Sequence, residues 1–170
     1  MRELPSSLVI GTCVWVDNYL GTRPGSGEAR SLLDAAIRLD IDLLYAITSA
    51  KDVYYLVAQV LKREQAREGV PLTPSLVAAN KETAWACVEN MERNATAVGL
   101  DASDVWLAHK FKPAHDDFED NLVVAAARRA KADYLVTNDE RLLRHSPVAA
   151  LSPRDMLALL RSLAESRRVV

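Results

Sequence analysis

The sequence predicts an α/β fold with a mostly parallel central sheet and helices on both of its faces. Short apolar, β-branched runs alternate along the chain with longer segments of helical periodicity. The first run, residues 6–16, is apolar almost throughout, as expected for a strand buried on both faces of a parallel sheet. Neither an internal repeat nor a low-complexity linker divides the chain. We therefore expect one domain over residues 1–170, with four to five strands in its sheet.

The predicted elements alternate in chain order. The predicted strands cover residues 6–16, 41–47, 103–109, 133–139 and, as a short fifth strand, 146–152. The predicted helices cover residues 28–40, 48–66, 81–100, 118–131 and 153–166. The helix at 48–66 carries an apolar stripe, and Thr48 or Ser49 is its expected N-cap. A glycine-rich loop at 21–27 and the Pro-containing break "GVPLTP" separate neighbouring elements.

Composition narrows the classes of function. The formal net charge of −2 over 170 residues argues against a protein that grips nucleic acid by bulk electrostatics. It does not exclude a nuclease with an acidic site and a basic rim. The candidate rim residues, for which a solvated helix face is the alternative reading, are Arg63, Arg67, Arg128, Arg129, Lys131, Arg141 and Arg144. Two isolated cysteines and the lack of a run of ~20 apolar residues favour a cytoplasmic location and no membrane span.

Acidic residues are placed where a parallel sheet would bring them together. "HDDFED", residues 115–120, precedes a predicted helix, and the i,i+3 spacing of Asp117 and Asp120 puts both on one helical face. Asp17 follows the first predicted strand, and Asp139 ends the fourth. The carboxyl ends of parallel strands meet at one sheet edge, so these acids are expected to converge there.

Asp52, in the first turn of the helix after the second strand, can reach the same edge. Such a cluster repels itself unless a cation neutralises it, and hard oxygen ligands select Mg²⁺ or Mn²⁺. Taken singly, each acid has a plainer reading. Asp117 and Asp120 resemble a helix-capping box, Asp52 an ordinary helix acid and Asp139 a turn residue.

Four segments of the chain form a pattern: "VWVDNYL", "ITSAKDVYYLV", "DFEDNLVVAAARRAKADYLVTND" and "HSPVAALSPRDML". Together they resemble the PIN domain family, which includes the PilT N-terminus-like domains and the VapC-type bacterial ribonucleases. "VWVDNYL" is similar to the family's opening acid motif, and "ITSAKDVYYLV" to its second motif. "DFEDNLVVAAARRAKADYLVTND" resembles its most specific segment, an acid-rich helix start followed by a strand ending in Thr-x-Asp. "HSPVAALSPRDML" resembles the closing strand and helix of many bacterial members. The resemblance covers about residues 8–160.

This resemblance implies a three-layer Rossmann-like sandwich and a Mg²⁺ or Mn²⁺ site that hydrolyses RNA with a metal-activated water. Carried over by position, the four site acids are Asp17, Asp52, Asp120 and Asp139, with Asp117 as a further metal ligand and Thr137 and Asn138 as auxiliary residues. Single-stranded or loop RNA is the expected substrate. An antitoxin protein and a homodimer are the implied partners.

Two departures from the family pattern concern the site. The second acid is usually Glu, whereas this chain has the shorter Asp52. The first acid is usually followed by a small polar residue and then Asn, whereas Asn18 and Tyr19 follow Asp17 here. A catalytically degenerate PIN domain that binds RNA or protein is therefore the alternative. A P-loop NTPase is a poorer fit, because "GTRPGSGEARS" lacks the required Lys-Ser/Thr.

The remaining chemistry-bearing side chains are expected to be structural. Solvated or structural roles are expected for the three histidines, His109, His115 and His145. The three tryptophans, Trp15, Trp85 and Trp106, are expected in the core.

Overall fold

The computed structural model describes residues 3–168, and within them five parallel strands form one sheet. The strands are β1 (Ser7–Ile10), β2 (Asp42–Ala46), β3 (Thr96–Val98), β4 (Tyr134–Val136) and β5 (Ala150–Leu151). Their order across the sheet is β3-β2-β1-β4-β5. In register, Leu8 pairs with Leu43 on one side and with Tyr134 on the other. The predicted parallel α/β architecture is confirmed.

Helices connect the strands and cover both faces of the sheet. They are α1 (Thr12–Tyr19), α2 (Ser26–Arg38), α3 (Ile47–Arg67), α4 (Pro74–Asn94), α5 (Ala102–Phe111), α6 (Phe118–Arg129), α7 (Glu140–His145) and α8 (Pro153–Arg168). No helix in this described part of the chain is both long and apolar enough to cross a membrane.

Side chains of the central strand β1 alternate between two hydrophobic cores. Leu8 and Ile10 pack into the larger core, which also receives buried residues of α1, α2, α3, α4 and α8. Val9 points to the other face and packs into a smaller core with the alanine-rich helix α6. Leu8, Val9 and Ile10 are fully buried, which explains the continuous apolar run in the sequence.

The predicted first strand is too long, because its second half is helix α1. β1 ends at Ile10, Gly11 is the N-cap of α1, and the Gly11 carbonyl accepts the first helical hydrogen bonds. Val14, Trp15 and Val16 are all buried, so this helix is apolar on most of its surface. A short apolar run does not distinguish such a buried helix from a buried strand.

The predicted third strand is also wrong. Residues 103–109 lie in helix α5, which begins with a capping box formed by Asp101 and Asp104. The third strand of the sheet is instead Thr96–Val98, inside the stretch predicted as the end of a helix. Capping fixed the start of α5, and this outweighed the strand preference of its Val and Trp residues.

Smaller differences concern caps and exposure. Ala46 is the N-cap of α3, so Thr48 and Ser49 lie inside the helix, where the Ser49 hydroxyl accepts a hydrogen bond from Thr12. Helix α7 was not predicted. Trp15 is buried as expected, but the core placement of the other two tryptophans is wrong. Trp85 is 55% exposed and Trp106 is 58% exposed.

Candidate active site

A cleft of about 600 Å³ opens where β1 and β4 end, between α1, α6 and the turn that follows β4. Its lining residues come from four separate stretches of the chain: 11–17, 23–25, Asp120 and 137–139. Three of the acids predicted from the sequence, Asp17, Asp120 and Asp139, line this cleft. The structure thus brings these acids to the expected edge of the sheet.

Asp139 is fixed at the mouth of the cleft by its neighbours. It is the N-cap of α7, and its Oδ1 accepts a hydrogen bond from the Leu142 backbone at 2.8 Å. The same oxygen lies 3.0 Å from Nε2 of His115. Burial raises the pKa of Asp139, but the bonds from Leu142 and His115 outweigh it and hold the pKa below its usual value. Asp139 is therefore ionised at neutral pH.

His115 is a buried hydrogen-bond donor to the acid site. The Asp117 backbone N–H donates to its Nδ1 at 3.1 Å, so the proton of the neutral ring is assigned to Nε2. That Nε2–H points at Asp139 and lies 3.7 Å from Oδ2 of Asp120. Its backbone carbonyl accepts from the Asn121 side chain at 2.7 Å. One ligand-type atom each from His115, Asp120 and Asp139 lies within 4.8 Å of the others.

Within this cluster, the surroundings of Asp120 disfavour its charged form. Burial, followed by the charge of Asp117, raises its pKa to about 6, and Asp139 adds to the effect. Asp117 is the N-cap of α6, and its Oδ1 accepts from the Asp120 backbone at 3.0 Å. The capping role considered for Asp117 is confirmed, although the N–H of Asp117 donates to His115 and not to Asp120. A cation beside Asp120 would relieve the repulsion.

Asp17 lies on helix α1, six residues after its N-cap Gly11, and not directly after the strand as predicted. It is 3% exposed, and both of its oxygens have partners. Its Oδ1 accepts from Nε of Arg23 at 2.5 Å, and its Oδ2 accepts from the Asn138 side chain at 2.9 Å. Asp17 therefore joins α1, the loop before α2 and the turn after β4.

Gly11 occupies the position that directly follows β1, where the family resemblance leads one to expect an acid. Its N–H donates to the carbonyl of Val136 at 2.8 Å. A Cβ at Gly11 would lie 3.0 Å from that same carbonyl oxygen, so the two strand ends meet closely here. The chain thus reaches the cleft with Asp17, one and a half turns later on α1, instead of a strand-end carboxylate.

Asp52 departs from the expected arrangement, whereas Thr137 lies in the cleft as expected. Asp52 is buried on α3 and binds Nζ of Lys51 at 2.8 Å, and it is not among the residues that line the cleft. Lys51 also lies 3.7 Å from Glu119, so Asp52 sits near the start of α6. Thr137 lines the cleft, and its hydroxyl accepts from the Asp139 backbone at 3.1 Å.

Cys13 also lines the cleft, at the second position of α1. Burial, followed by the charges of Asp120 and Asp17, raises the pKa of its thiol. The thiol is therefore protonated at neutral pH, which makes Cys13 a poor nucleophile.

Sequence reasoning overlooked two residues that contact the acids of the cleft, His115 and Arg23. His115 was assigned a solvated or structural role, although its position beside "DDFED" was a signal that it could serve the same helix start. Arg23 was read as part of a loop, and nothing in the sequence marked it as the partner of Asp17. Arg129, one of the candidate rim residues, pairs instead with the buried Asp104 at 2.7 Å.

Residues 7–141 match the PIN domain family. The chain belongs to this family. The match contains the whole of the cleft and ends just after Asp139, so the acids described above all lie within the PIN domain.

Among solved structures, the PIN domain resembles VapC20 of Mycobacterium tuberculosis, described as a Sarcin-Ricin loop cleaving toxin. The TM-score is 0.53 at 12% sequence identity, over 75% of this chain and 86% of that one. Identity this low shows that the two proteins share a fold. No curated protein matches the chain significantly in sequence.

Proposed function

We propose that this PIN domain protein is an endoribonuclease that depends on a divalent metal ion. The observation that carries the proposal is the convergence of Asp120 and Asp139 beside His115, within 4.8 Å of one another, in an open cleft. The two carboxylates come from separate elements, and their pKa values are displaced in opposite directions. Divergent pKa values in one cleft are typical of catalytic sites.

The donor set fits Mg²⁺ or Mn²⁺. Asp120 and Asp139 offer hard carboxylate oxygens, and a bound cation would favour the charged form of Asp120, which burial and the charge of Asp117 disfavour. These two residues would hold the ion. His115 serves as an orienting donor and not as a ligand, because its Nδ1 is occupied by the Asp117 backbone. When bound, the ion supplies positive charge at the phosphodiester and lowers the pKa of a water molecule.

The protein's own groups support hydrolysis by water without a covalent intermediate. Cys13 is protonated and is therefore not suited to attack phosphorus. Asp139 is held ionised and in one orientation by Leu142 and His115, so it is suited to hold the ion. Asp17 and Asp117, also predicted as ligands, already bind Arg23 and cap α6, respectively, and we assign them supporting roles.

The test is cleavage of a labelled RNA with single-stranded and looped regions by the purified full chain. Cleavage is expected with Mn²⁺ and not with EDTA, and Asp120→Asn and Asp139→Asn should each lose at least a hundredfold in rate. Asp116→Asn is the matched control, because Asp116 lies in the same acidic segment but is exposed. Equal cleavage under all conditions would mean that a contaminating nuclease is responsible.

A catalytically degenerate PIN domain is the second candidate, and one observation favours it. Asp52 does not line the cleft, and Asp17 reaches it from helix α1, because the residue directly after β1 is Gly11 and not an acid. This candidate predicts RNA or protein binding with no cleavage in any metal. Binding without cleavage, by protein whose fold is intact, would decide in its favour.

A toxin role belongs to the same proposal. The shared fold with VapC20, a loop-cleaving toxin by its description, supports a toxin that cleaves loop RNA. Our proposal extends to single-stranded RNA, a cytoplasmic location and an antitoxin that silences the protein. A homodimer is the assembly we propose. Growth arrest on expression of the wild type but not of Asp120→Asn would support the toxin role. Analytical ultracentrifugation would test the dimer.

A further inference from the structure

Arg23 brings a positive charge into the acidic cleft. Its Nε donates to Oδ1 of Asp17 at 2.5 Å, and its side chain is 35% exposed and lines the cleft with Asp120 and Asp139. Asp17 neutralises this charge one to one, and that carboxylate is almost fully buried. A guanidinium held by a buried partner at the wall of an open cleft is oriented before any ligand arrives.

The backbone around Arg23 is fixed as well. The Arg23 N–H donates to the carbonyl of Leu20 at 3.1 Å, and the Ser26 N–H donates to the carbonyl of Arg23 at 3.2 Å. Gly25 adopts a left-handed φ of 87°, which turns the chain into α2 and brings it against Asp17. Hydrogen bonds of both its backbone and its side chain therefore hold Arg23 in position.

The guanidinium retains unused hydrogen-bond donors. Within residues 3–168, the only acceptor for the guanidinium of Arg23 is Asp17, which accepts its Nε–H. The two terminal nitrogens therefore have no protein acceptor among these residues, and Arg23 lines the cleft. Their planar, forked arrangement matches the two oxygens of a phosphate group.

We propose that Arg23 binds a backbone phosphate of the RNA substrate, with Asp17 as the residue that positions its guanidinium. The inference rests on the proposed function for the identity of the substrate. It gives Asp17 a task other than metal binding, and it leaves Asp120 and Asp139 to the ion. It also explains how a chain with net charge −2 holds a polyanion next to its own carboxylates.

The experiment measures binding of a fluorescent single-stranded RNA oligomer to the full chain in EDTA, where metal-dependent cleavage does not occur. Affinities are determined over a series of salt concentrations. The plot of log K against log salt has a negative slope, and loss of one phosphate contact to a single strand reduces the magnitude of that slope by about 0.7. Arg23→Gln is expected to show this decrease, with binding at low salt weakened roughly tenfold. Arg23→Lys retains the charge and should keep the slope.

Arg93→Gln is the matched control. Arg93 lies exposed on α4 and pairs with Glu89, so its replacement also removes one positive charge and one ion pair. Its slope should equal that of the wild type. The double variant Asp17→Asn/Arg23→Gln keeps the net charge and leaves no unpaired buried carboxylate. It should show the same lowered slope, and it serves as the test if Arg23→Gln does not fold.

Three outcomes would overturn the inference. They are an unchanged slope for both Arg23→Gln and the double variant, an equal decrease for Arg93→Gln, and no RNA binding by the wild type in EDTA. The experiments test the nuclease proposal separately from the role of Arg23. RNA cleavage with an unchanged slope refutes only the role of Arg23, whereas a lowered slope without cleavage in any metal refutes only the nuclease.

Discussion

Asp120→Asn should stabilise the metal-free protein, because Asp120 is held in an environment that disfavours its charge. Its pKa is raised from 3.8 to about 6 by burial and by neighbouring carboxylates. A shift of this size corresponds to about 3 kcal/mol at full value, at ~1.4 kcal/mol for each pKa unit. The Asp120 side chain is 34% exposed, so solvent screening reduces this penalty to about 1.5 kcal/mol.

The helix dipole acts in the opposite direction. Asp120 lies in the first turn of α6, where a negative charge gains about 0.5 kcal/mol from the helix N-terminus. The expected net gain for Asp120→Asn at pH 7.5 is therefore about 1 kcal/mol. For a chain of this length, that is an increase of about 2–4 °C in Tm.

The pH dependence follows from the sign of the shift. The folded pKa of Asp120 is higher than the unfolded value, so the wild type loses stability as pH rises from about 4 through about 6. Asp120→Asn lacks this loss. The advantage of the variant should be full above pH 7 and should vanish near pH 4. Thermal unfolding by circular dichroism in EDTA, across this pH range, measures the difference.

The same thermal unfolding measurements are then repeated with metal. Mn²⁺ at about one hundred times its Kd should stabilise the wild type by about 2.7 kcal/mol and should leave Asp120→Asn unchanged. Asp116→Asn should match the wild type with and without metal, because Asp116 is exposed. If Asp120→Asn lowered Tm in EDTA at pH 7.5, Asp120 would be a stabilising charge, and our electrostatic account of the site would be refuted.

Three further predictions concern the scaffold. Gly11→Ala should lower the free energy of unfolding by about 1–3 kcal/mol in urea titrations, because its Cβ would crowd the carbonyl of Val136; an unchanged midpoint would show that the strand ends can separate freely. Trp106→Ala should change stability by no more than about 0.5 kcal/mol, since this side chain is mostly exposed, and a loss typical of core tryptophans would contradict its placement. Arg129→Ala should lower the free energy of unfolding at pH 7, because it leaves Asp104 buried without its cation. Arg129 lowers the pKa of Asp104, so the stability that this pair contributes is present above pH 4 and is lost as pH falls below it; equal losses at pH 7 and pH 2.5 would argue against the ion pair.

The sequence was sufficient for four of the five strands in the described residues, because β1, β2, β4 and β5 each lie within an apolar run that a helix follows. Prediction from the sequence failed where burial or capping removed the contrast between a strand-like and a helix-like pattern. Helix α1 is buried on most sides and carries no polar stripe, so it resembled a continuation of β1. Helix α5 contains Val105 and Trp106, which favour strands, and its start depends on a cap between Asp101 and Asp104 that outweighed them.

The sequence predicted those site residues whose positions depend only on where a strand ends or a helix begins. Asp139 follows β4 and Asp120 opens α6, so both positions depend only on elements that the sequence marks clearly. Asp17 reached the cleft by a different route, through one and a half turns of an unrecognised helix. The Arg23–Asp17 pair depends on how a loop folds against α1, and no periodicity records such a contact.

The strand order also determines where this cleft can be. From β1 the chain winds outward to β2 and β3 on one side of the sheet, and it returns to place β4 and β5 on the other. The connections therefore leave the neighbouring ends of β1 and β4 in opposite directions, and a crevice opens at that topological switch point. The backbone alone creates this crevice, whichever side chains line it. Chemistry at this position can therefore be lost, altered or redesigned by substitution while the fold that supports it persists.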